Sequence, residues 1–445
     1  MSFADFILQH EGDDPVRLLL SRDKYPDIDL DLAVTTLEVR KKLKAKVPEW
    51  YAVPSLVYPS RLSGEQCSSS ETARYKAMVA ASVRREGVPS ETASAVLRPL
   101  PSKMGPSLLC GRGWPQVSDG TPSLLRVADL TGGMGVDCWA FAQVAGAVMY
   151  NEMQEGLVEA TRVNFRELGV ENVRFSCRKV EVGKVREVLE GFEPNVVFLD
   201  PARRGEDGRK VFLIEDCQPD VVGLLPELFG VSRYVMVKLS PMADITMACK
   251  RLSHVKEVHV VAAGGECKEL LFVMDREWEG DYTVFVVENG AVMEIPGQAG
   301  NDCARHGRPD RPSEVPCAGS LLFEPGKALA KAGAFDLPCR FGLTKLGVHT
   351  HLYTGEAVPE GLEPFGKWFE VVEVLPLNNR TMKEVGKRWP QAEVTARNVP
   401  MTSDLLRKKT GCVSGGDVHL FGVRVDALAD AGNYLIVTKK RYGTD

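Results

Sequence analysis

The fold is decided by the stretch Arg126-Val127-Ala128-Asp129-Leu130-Thr131-Gly132-Gly133-Met134-Gly135-Val136-Asp137. It predicts a buried strand that ends on an acidic residue and continues through a glycine turn into a helix over about residues 137–145. Glycines at such a turn permit positive φ and let a ligand lie against bare main chain. The first N–H groups of the helix and its positive dipole end would then face an anionic group of that ligand.

The order of the acid and the glycines separates two classes of ligand. Dinucleotide enzymes place G-x-G-x-x-G directly after the strand, whereas here Asp129 precedes the glycines in the order D-x-T-G-G-x-G. This order resembles the first motif of class I S-adenosylmethionine (AdoMet) methyltransferases. Glu152 closes the next strand, where ribose hydroxyls need a carboxylate acceptor. The alternative is an ordinary strand-to-helix turn with a strand-end glutamate. The resemblance implies AdoMet as cofactor, held by Asp129, Thr131, Gly132, Gly133, Gly135, Asp137 and Glu152.

The composition is that of an ordinary soluble globular protein. The chain has 445 residues, of which 44% are hydrophobic and 26% charged, enough for about three domains. A formal net charge of −5 indicates no nucleic-acid binder overall, so any basic surface must be local. The 11 cysteines are scattered without a C-x-x-C pair, which fits a reducing cytoplasm and argues against a zinc site or a disulfide framework.

Membrane and metal partners are not expected. No apolar run approaches the length of a membrane span, and the first residues lack the build of a signal peptide, so we expect a cytoplasmic protein. His349 and His351 alternate on one predicted strand without a third ligand, so no metal site is predicted.

The predicted elements divide the chain into five segments. Residues 1–105 are a helical domain, 106–288 a domain of alternating strands and helices, 289–318 a flexible insertion or linker, and 319–365 and 366–445 two small α+β units. The resemblance to AdoMet-dependent methyltransferases implies a methyltransferase domain for 106–288, a ferredoxin-like unit for 319–365 and a THUMP-like domain for 366–445. The segment Leu100–Pro122, rich in Pro, Gly and Ser, reads as a linker.

Alternating strands and helices in the second segment predict an α/β fold with a mainly parallel sheet covered by helices on both faces. Gly264-Gly265 suits an antiparallel finish between the last two strands. The strands are predicted at Leu125–Leu130, Ala147–Asn151, Asn172–Ser176, Val196–Leu199, Tyr234–Leu239, Val255–Ala262 and Glu269–Val273.

The helical domain contains one specific stretch, Gln66–Lys76. Ser68 with Glu71 fits the S-x-x-E capping box that opens a helix, and capping is the role we favour. The functional alternative is that this helix start covers the cofactor mouth and presents Ser70, Thr72 or Lys76 to the ligand.

The fourth sheet strand ends in Val197-Phe198-Leu199-Asp200-Pro201-Ala202-Arg203-Arg204. Ligands of open parallel sheets bind beyond the carboxyl ends of the strands, so Asp200 should lie beside the glycine turn. With Pro201, which stiffens the loop, it resembles the D/N-P-P-x motif by which AdoMet enzymes hold the amine or ring nitrogen of a base. Ala202 replaces the second proline and Arg203 replaces an aromatic that would stack on adenine, which disfavours an adenine amine as acceptor. Asp200, Pro201 and Arg203 are our catalytic candidates.

Basic residues near this crevice have two interpretations. Arg203 and Arg204 either bind substrate phosphate or belong to a solvated loop with surface ion pairs. Lys238, near the end of the fifth predicted strand, either pairs with Asp200 or Asp244 or contacts the substrate.

A cysteine-dependent mechanism is disfavoured. Methylation of a pyrimidine at carbon 5 needs a thiolate beside the base, and neither Asp200-Pro201 nor Ser240-Pro241 includes a cysteine. Cys217 lies downstream, but nothing near it signals activation.

Together, Gln66–Lys76, Asp129–Asp137, Asp200–Arg204 and Lys238–Asp244 resemble a bacterial group of AdoMet-dependent methyltransferases with an N-terminal helical domain, a ferredoxin-like unit and a C-terminal THUMP-like domain. The resemblance implies a Rossmann-like, seven-stranded, mainly parallel methyltransferase sheet. It also implies an RNA substrate, because THUMP domains bind RNA, chiefly tRNA. In the tail it is carried by Leu322-Phe323-Glu324-Pro325, Thr350-His351-Leu352-Tyr353-Thr354, Ala396-Arg397-Asn398-Val399-Pro400 and Gly415-Gly416-Asp417.

The substrate-binding candidates follow from that resemblance and from the charges near the site. They are Arg204, Lys238, Arg397 and Lys408. For Lys408 the solvated face of a helix is an equally good explanation.

The sequence thus favours an AdoMet-dependent RNA methyltransferase acting on a base of tRNA or rRNA, with a purine ring nitrogen slightly preferred. Alignment of donor and acceptor would supply most of the catalysis. Two alternatives stay open: a non-catalytic RNA-binding or scaffold protein on a methyltransferase fold, and a small-molecule methyltransferase. The oligomeric state and the methylated atom are not predicted.

Overall fold

The computed structural model describes residues 1–83, 98–99, 124–203, 214–297, 314–427 and 430–441. The predicted linker at Leu100–Pro122 and Arg204 lie outside these residues. The chain forms two compact units. The first comprises Met1–Ala93, Lys103–Val258 and Glu269–Asp281, and the second comprises Ser94–Ser102, His259–Lys268 and Tyr282–Asp445.

The first unit opens with helices. Trp50 and Tyr58 are buried, stack on each other with ring centroids 6.4 Å apart, and Trp50 meets Trp139 edge-on at 6.2 Å. Because Trp139 belongs to the helix after the glycine turn, the opening helices pack directly on the sheet domain. They are α1 (Phe3–Gln9), α2 (Pro15–Leu19), α3 (Leu30–Lys46), α4 (Pro48–Tyr51), α5 (Arg61–Gln66) and α6 (Ser70–Ser82).

The strands up to residue 297 follow the predicted alternation closely. Predicted and observed bounds coincide for three strands, Ala147–Asn151, Val196–Leu199 and Tyr234–Leu239. The strands are β1 (Arg98–Pro99), β2 (Arg126–Asp129), β3 (Ala147–Asn151), β4 (Val173–Ser176), β5 (Val196–Leu199), β6 (Ala202–Arg203), β7 (Cys217–Gln218), β8 (Tyr234–Leu239), β9 (Val255–Ala263), β10 (Glu266–Asp275), β11 (Thr283–Glu288) and β12 (Ala291–Pro296).

Two of the helices between these strands begin on an aspartate, Asp220 and Asp244, whose side chain accepts a backbone N–H. The helices between the strands cover the sheet. They are α7 (Val136–Ala142), α8 (Glu155–Glu167), α9 (Val185–Leu189), α10 (Val221–Phe229) and α11 (Ile245–Arg251).

The sheet that carries the predicted site has the strand order β9-β10-β8-β5-β2-β3-β4. Strands β4, β3, β2, β5 and β8 pair in parallel, and β10 pairs antiparallel with β8. Gly264 and Gly265 have φ of 59° and 75°, the conformation of a two-residue hairpin turn, so β9 runs opposite to β10. The predicted mainly parallel sheet with one reversed strand is confirmed. All four residues of β5 are buried, as in a parallel strand covered on both faces.

The number of strands in this sheet differs from the prediction. The sheet continues from β9 through β11, β12 and β1, so it has ten strands among the described residues, not the predicted seven. Strand β9 would otherwise be an edge with unpaired N–H and C=O groups, which β11 covers. Ala291–Pro296, which the sequence assigned to the insertion, forms β12 and pairs antiparallel with β11.

The second unit contains a seven-stranded sheet with the order β14-β15-β13-β16-β19-β18-β17. All its pairs are antiparallel except β17 with β18. Its strands are β13 (Leu321–Pro325), β14 (Thr344–Gly347), β15 (Thr350–Gly355), β16 (Gly366–Pro376), β17 (Glu393–Arg397), β18 (Val418–Val425) and β19 (Gly432–Lys440), and its helices are α12 (Lys327–Lys331), α13 (Leu337–Arg340), α14 (Asn379–Arg388) and α15 (Ser403–Thr410).

Candidate functional site

The glycine turn follows β2 as predicted and is tied to the loop after β5. Asp129, at the end of β2, is 1% exposed, and its Oδ1 accepts the N–H of Thr131 at 3.1 Å. The Thr131 hydroxyl accepts the N–H of Asp200 at 2.6 Å. Thr131 therefore links the two acidic positions, with its backbone N–H bound to the Asp129 carboxylate and its hydroxyl bound to the backbone of Asp200.

The glycines of the turn are required by packing inside the protein as well as by the approach of a ligand. A Cβ on Gly132 would lie 2.2 Å from Cε2 of Tyr150, and one on Gly135 would lie 2.7 Å from Cγ2 of Thr161. Gly133 and Gly135 have φ of 53° and 87°, which favours glycine. The Tyr150 hydroxyl also donates to the carbonyl oxygen of Gly133 at 2.6 Å. Packing from β3 and α8 thus fixes the shape of the turn.

Glu152, predicted as the ribose acid, lies directly beside this turn. Its Oε2 accepts the N–H of Gly133 at 3.0 Å and its Oε1 accepts the N–H of Gln154 at 2.9 Å. An ionised carboxylate has about four lone-pair sites, so Glu152 retains acceptor capacity for hydroxyls of a ligand.

Helix α7 is shorter than predicted, with seven residues, and its acid Asp137 is held by the N-terminal helices. Asp137 is buried, and its Oδ2 accepts the Ser68 hydroxyl at 2.8 Å. Its Oδ1 lies 3.2 Å from Nζ of Lys76 but accepts no hydrogen bond among the described residues.

The predicted capping box is wrong. The N-cap of α6 is Ser69, whose hydroxyl accepts the N–H of Thr72 at 3.2 Å. Ser68 instead points to Asp137, because three consecutive serines allow the helix to start one residue later than Ser68 predicts.

The side chain of Lys76 extends from α6 into the site. The sequence analysis favoured a capping role for the start of this helix and gave a ligand contact by Lys76 as the alternative. Its side chain is fully buried, and Nζ donates to both oxygens of Glu269 at 2.6 and 2.8 Å and to Ser68 at 3.1 Å. Glu269 was not predicted as a site residue. Its signal in the sequence is a carboxylate that directly precedes the apolar run Leu270–Met274 of a buried strand.

Asp200 and Lys238 form an ion pair at the carboxyl ends of β5 and β8. This decides between the predicted partners of Lys238, because Asp244 caps α11 by accepting the N–H of Met247. Burial alone would lower the pKa of Lys238, but Asp200, Glu269 and Asp137 outweigh that effect and the pKa is raised.

The carboxylates of the site repel one another. Burial raises the pKa of Asp129 well above its ordinary value, and Asp137, Asp200 and Glu152 raise it further. Burial also raises the pKa of Glu269, although Lys76 and Lys238 act in the opposite direction. Among the described residues, the ion pairs of Asp129, Asp137, Glu152, Asp200 and Glu269 are those with Lys76 and Lys238, so these five carboxylates outnumber their paired lysines.

The remaining predicted residues lie elsewhere or outside the described part of the chain. Pro201 is buried beside Asp200. The backbone of Arg203 pairs with Cys217 between β6 and β7, and its side chain is outside the described residues. In the second unit, Arg397 forms an ion pair with Glu324 at 2.8 Å, and Lys408 is exposed on α15.

The described part of the chain contains neither a candidate metal-binding cluster nor a candidate membrane-spanning helix. No group of three or more His, Cys, Asp or Glu side chains there could hold a metal ion. No helix among them has the length and apolar character to span a membrane.

Two family models match the second unit. One, described as THUMP domain-like, matches residues 366–440, and one, described as a ferredoxin-like domain, matches residues 321–361. No curated protein matches the chain.

A solved structure resembles the chain over nearly its whole length. It is that of a candidate methyltransferase from Porphyromonas gingivalis W83, with a TM-score of 0.76, 27% sequence identity, and coverage of 98% of this chain and 97% of that one. The chain has a methyltransferase fold. The resemblance on which the sequence analysis relied is thereby confirmed, with its ferredoxin-like and THUMP-like units.

Two further structures match a smaller part. An rRNA methylase from Streptococcus thermophilus has 13% identity and a TM-score of 0.26 over 34% of this chain and 86% of that one. TrmN from Thermus thermophilus has 18% identity and a TM-score of 0.27 over 34% of this chain and 44% of that one. These TM-scores are too low for either structure to support a functional assignment.

Proposed function

We propose that this protein is a cytoplasmic AdoMet-dependent methyltransferase that methylates a base in RNA without a cysteine nucleophile. The observation that carries the proposal is the excess of carboxylates around the glycine turn. AdoMet combines a sulfonium and an ammonium with one carboxylate and is a net cation. Attraction between opposite charges is strong in a site with little water, so such a ligand would relieve the repulsion among Asp129, Asp137 and Asp200.

The same charge argues against a dinucleotide. The pyrophosphate of a nicotinamide dinucleotide is anionic and would be placed against a group of carboxylates, of which burial first, and then the charges of Asp137, Asp200 and Glu152, raise the pKa of Asp129. The methyltransferase fold of the chain agrees with this choice.

Each side of the site has a role in this proposal. Asp129, with Thr131 and the glycines, would hold the amino-acid end of the cofactor, Asp137 would complete the charge there, and Glu152 would accept the ribose hydroxyls. The bound cofactor supplies an activated methyl group. Asp200 would accept an N–H of the base and orient it, since a carboxylate paired with an ammonium group is a hydrogen-bond acceptor only.

A cysteine nucleophile finds no support. Lys238 and Asp137 both influence the thiol of Cys67, but burial raises the pKa of Cys67, which disfavours the thiolate that attack on a pyrimidine requires. We propose Asp200 and Pro201 as the residues next to the acceptor, with Arg203 and Arg204, two and three positions after Pro201 in the chain, as phosphate ligands.

RNA as the substrate is supported by the second unit. Its residues 366–440 match the THUMP domain-like model, and α15 carries Arg407, Lys408 and Lys409 in its last turn. Cationic side chains on a helix surface are what binding to the phosphate backbone requires. Arg397 would join them by exchanging Glu324 for a phosphate.

The proposal is tested first by isothermal titration with AdoMet, with S-adenosylhomocysteine and with NAD. We expect the first two to bind and NAD to give no signal; binding of NAD alone would replace the methyltransferase by a dehydrogenase.

The second test is mass spectrometry of nucleosides from cells that lack the protein. We expect one methylated nucleoside to disappear, to return with the wild-type gene and with Glu279→Gln, an exposed carboxylate of the first unit, and to stay absent with Asp200→Ala. Restoration by Asp200→Ala would favour the non-catalytic scaffold, and an unchanged nucleoside profile with retained AdoMet binding would favour a small-molecule methyltransferase.

A further inference from the structure

Five charged side chains form a row of alternating sign across the site. In order they are Asp200, Lys238, Glu269, Lys76 and Asp137. The row joins the acceptor side of the proposed site to its donor side.

Strand register explains how Lys238 and Glu269 come together. Strands β8 and β10 are antiparallel with Lys238 opposite Leu271. Glu269 lies two residues from Leu271 along β10 and therefore on the same face of the sheet. Such diagonal neighbours are about 7–8 Å apart, within reach of two long side chains.

The hydrogen bonds of Lys76 are fully assigned. Its ammonium has three protons, and the two oxygens of Glu269 and the hydroxyl of Ser68 accept them. The buried carboxylate of Glu269 is thereby satisfied without using Lys238.

Removal of Lys76 would leave Glu269 buried without its counter-ion. A buried unpaired charge is costly, so the nearest remaining cation would move toward it. Lys238 is such a cation, since it is the diagonal neighbour of Glu269 on the same face of the sheet and its charge, like that of Lys76, lowers the pKa of Glu269. Its move would take Lys238 away from Asp200.

We propose that Lys76 is a positioning residue for methyl transfer: by occupying Glu269 it leaves Lys238 on Asp200, where the carboxylate orients the acceptor. This inference rests on the proposed function. It implies that helix α6, which is not part of the sheet, helps to set the geometry of the acceptor.

The test compares three variants, Lys76→Met, Glu269→Gln and the double variant. Initial rates are measured as tritium transfer from methyl-labelled AdoMet to total RNA from cells that lack the protein, with folding checked by thermal melting. A misplaced orienting group costs on the order of 100-fold in rate, so we expect kcat of Lys76→Met to fall by roughly that factor. The KM for AdoMet should change less than kcat, because Asp137 loses its ion pair with Lys76 but keeps the hydrogen bond from Ser68.

The double variant gives the decisive result. Without its charge, Glu269→Gln no longer attracts Lys238, so adding it to Lys76→Met should restore kcat to within about threefold of Glu269→Gln alone, an interaction expected between residues of one ionic network. A double variant that is folded but as slow as Lys76→Met overturns the inference. If Lys76→Met does not fold, the comparison of the double variant with Glu269→Gln decides in the same way.

Failure of the proposed function has a different signature. In that case the wild-type protein transfers no label to RNA and binds no AdoMet, whereas failure of the inference leaves the wild-type activity intact.

Discussion

Asp129 closes β2 with a carboxylate that is 1% exposed and lies among other acids. Its raised pKa means that the folded protein binds a proton more tightly than the unfolded chain. Ionised Asp129 therefore lowers the free energy of unfolding, and this destabilisation grows as the pH rises from the ordinary value of 3.8 toward the pKa in the folded protein.

We expect Asp129→Asn to unfold at higher urea concentration than wild type near neutral pH, by about 1 kcal/mol or more, and to bind AdoMet more weakly. The asparagine oxygen can still accept the N–H of Thr131, so the turn is retained. Urea unfolding at several pH values checks this. An advantage of the variant that is the same at low and at neutral pH would contradict it.

Gly132 has a steric reason to be glycine. Its Cβ position is 2.2 Å from the Tyr150 ring, which is itself held by its hydrogen bond to Gly133. We expect Gly132→Ala to lower the free energy of unfolding by about 1–3 kcal/mol, as overpacking does, and to weaken AdoMet binding. The matched control is Gly156→Ala in α8, where nothing lies within 4 Å of the added methyl. Equal melting temperatures of the two variants would show that Tyr150 yields easily.

At the scale of elements, α6 begins at Ser70 with Ser69 as its cap. Ser69→Ala should cost about 1 kcal/mol of unfolding free energy, because the N–H of Thr72 loses its acceptor. Ser82→Ala, in the last turn of the same helix, is the control and should be neutral or slightly stabilising. Both are measured by chemical denaturation. A Ser69→Ala variant as stable as the control would mean that water replaces the cap.

Individual elements were predictable where one local signal dominates. Strands β3, β5 and β8 were located with correct bounds because each is a short apolar run between turn residues, the pattern of a buried parallel strand. The start of α6 was misplaced because three serines in a row offer equivalent caps. The contact of Ser68 with Asp137, 69 residues away in sequence, decides between them, and no local pattern contains it.

The residues of the site show the same difference between local signals and contacts that are distant in sequence. Asp129, Glu152 and Asp200 were predictable because each stands at the carboxyl end of a predicted strand, and parallel strands bring these ends to one edge. Lys76 and Glu269 are 193 residues apart, and their pairing depends on the packing of α6 against the sheet. Such a pair is visible in sequence only as two charges inside apolar surroundings.

At the scale of the whole molecule, the two matched segments of the second unit share one sheet. Strand β13 of the ferredoxin-like segment pairs with β16 of the THUMP-like segment, with Phe323 opposite Trp368. The sequence predicted two separate units and could not show that they form a continuous sheet, since pairing of β13 with β16 depends on residues more than 40 positions apart.

The proposed RNA surface gives a prediction at this scale. Lys408→Ala should weaken RNA binding for all sequences alike and reduce the slope of log affinity against log salt by about one, as expected for the loss of one phosphate contact. AdoMet binding should be unaffected. Lys24→Ala, an exposed lysine of the first unit, is the control. Filter binding of total tRNA over a range of salt concentrations measures both. Identical slopes for Lys408→Ala and wild type would remove Lys408 from the surface.

Tyr150 and Thr161 pack against the glycine turn from inside the protein, and this packing affects how a ligand binds. A loop whose shape is already fixed by interior side chains loses little conformational freedom when it is occupied. Empty and loaded forms of this loop should superimpose closely, and capture of the ligand should proceed at a rate set by diffusion and charge, without a slow rearrangement of the receptor.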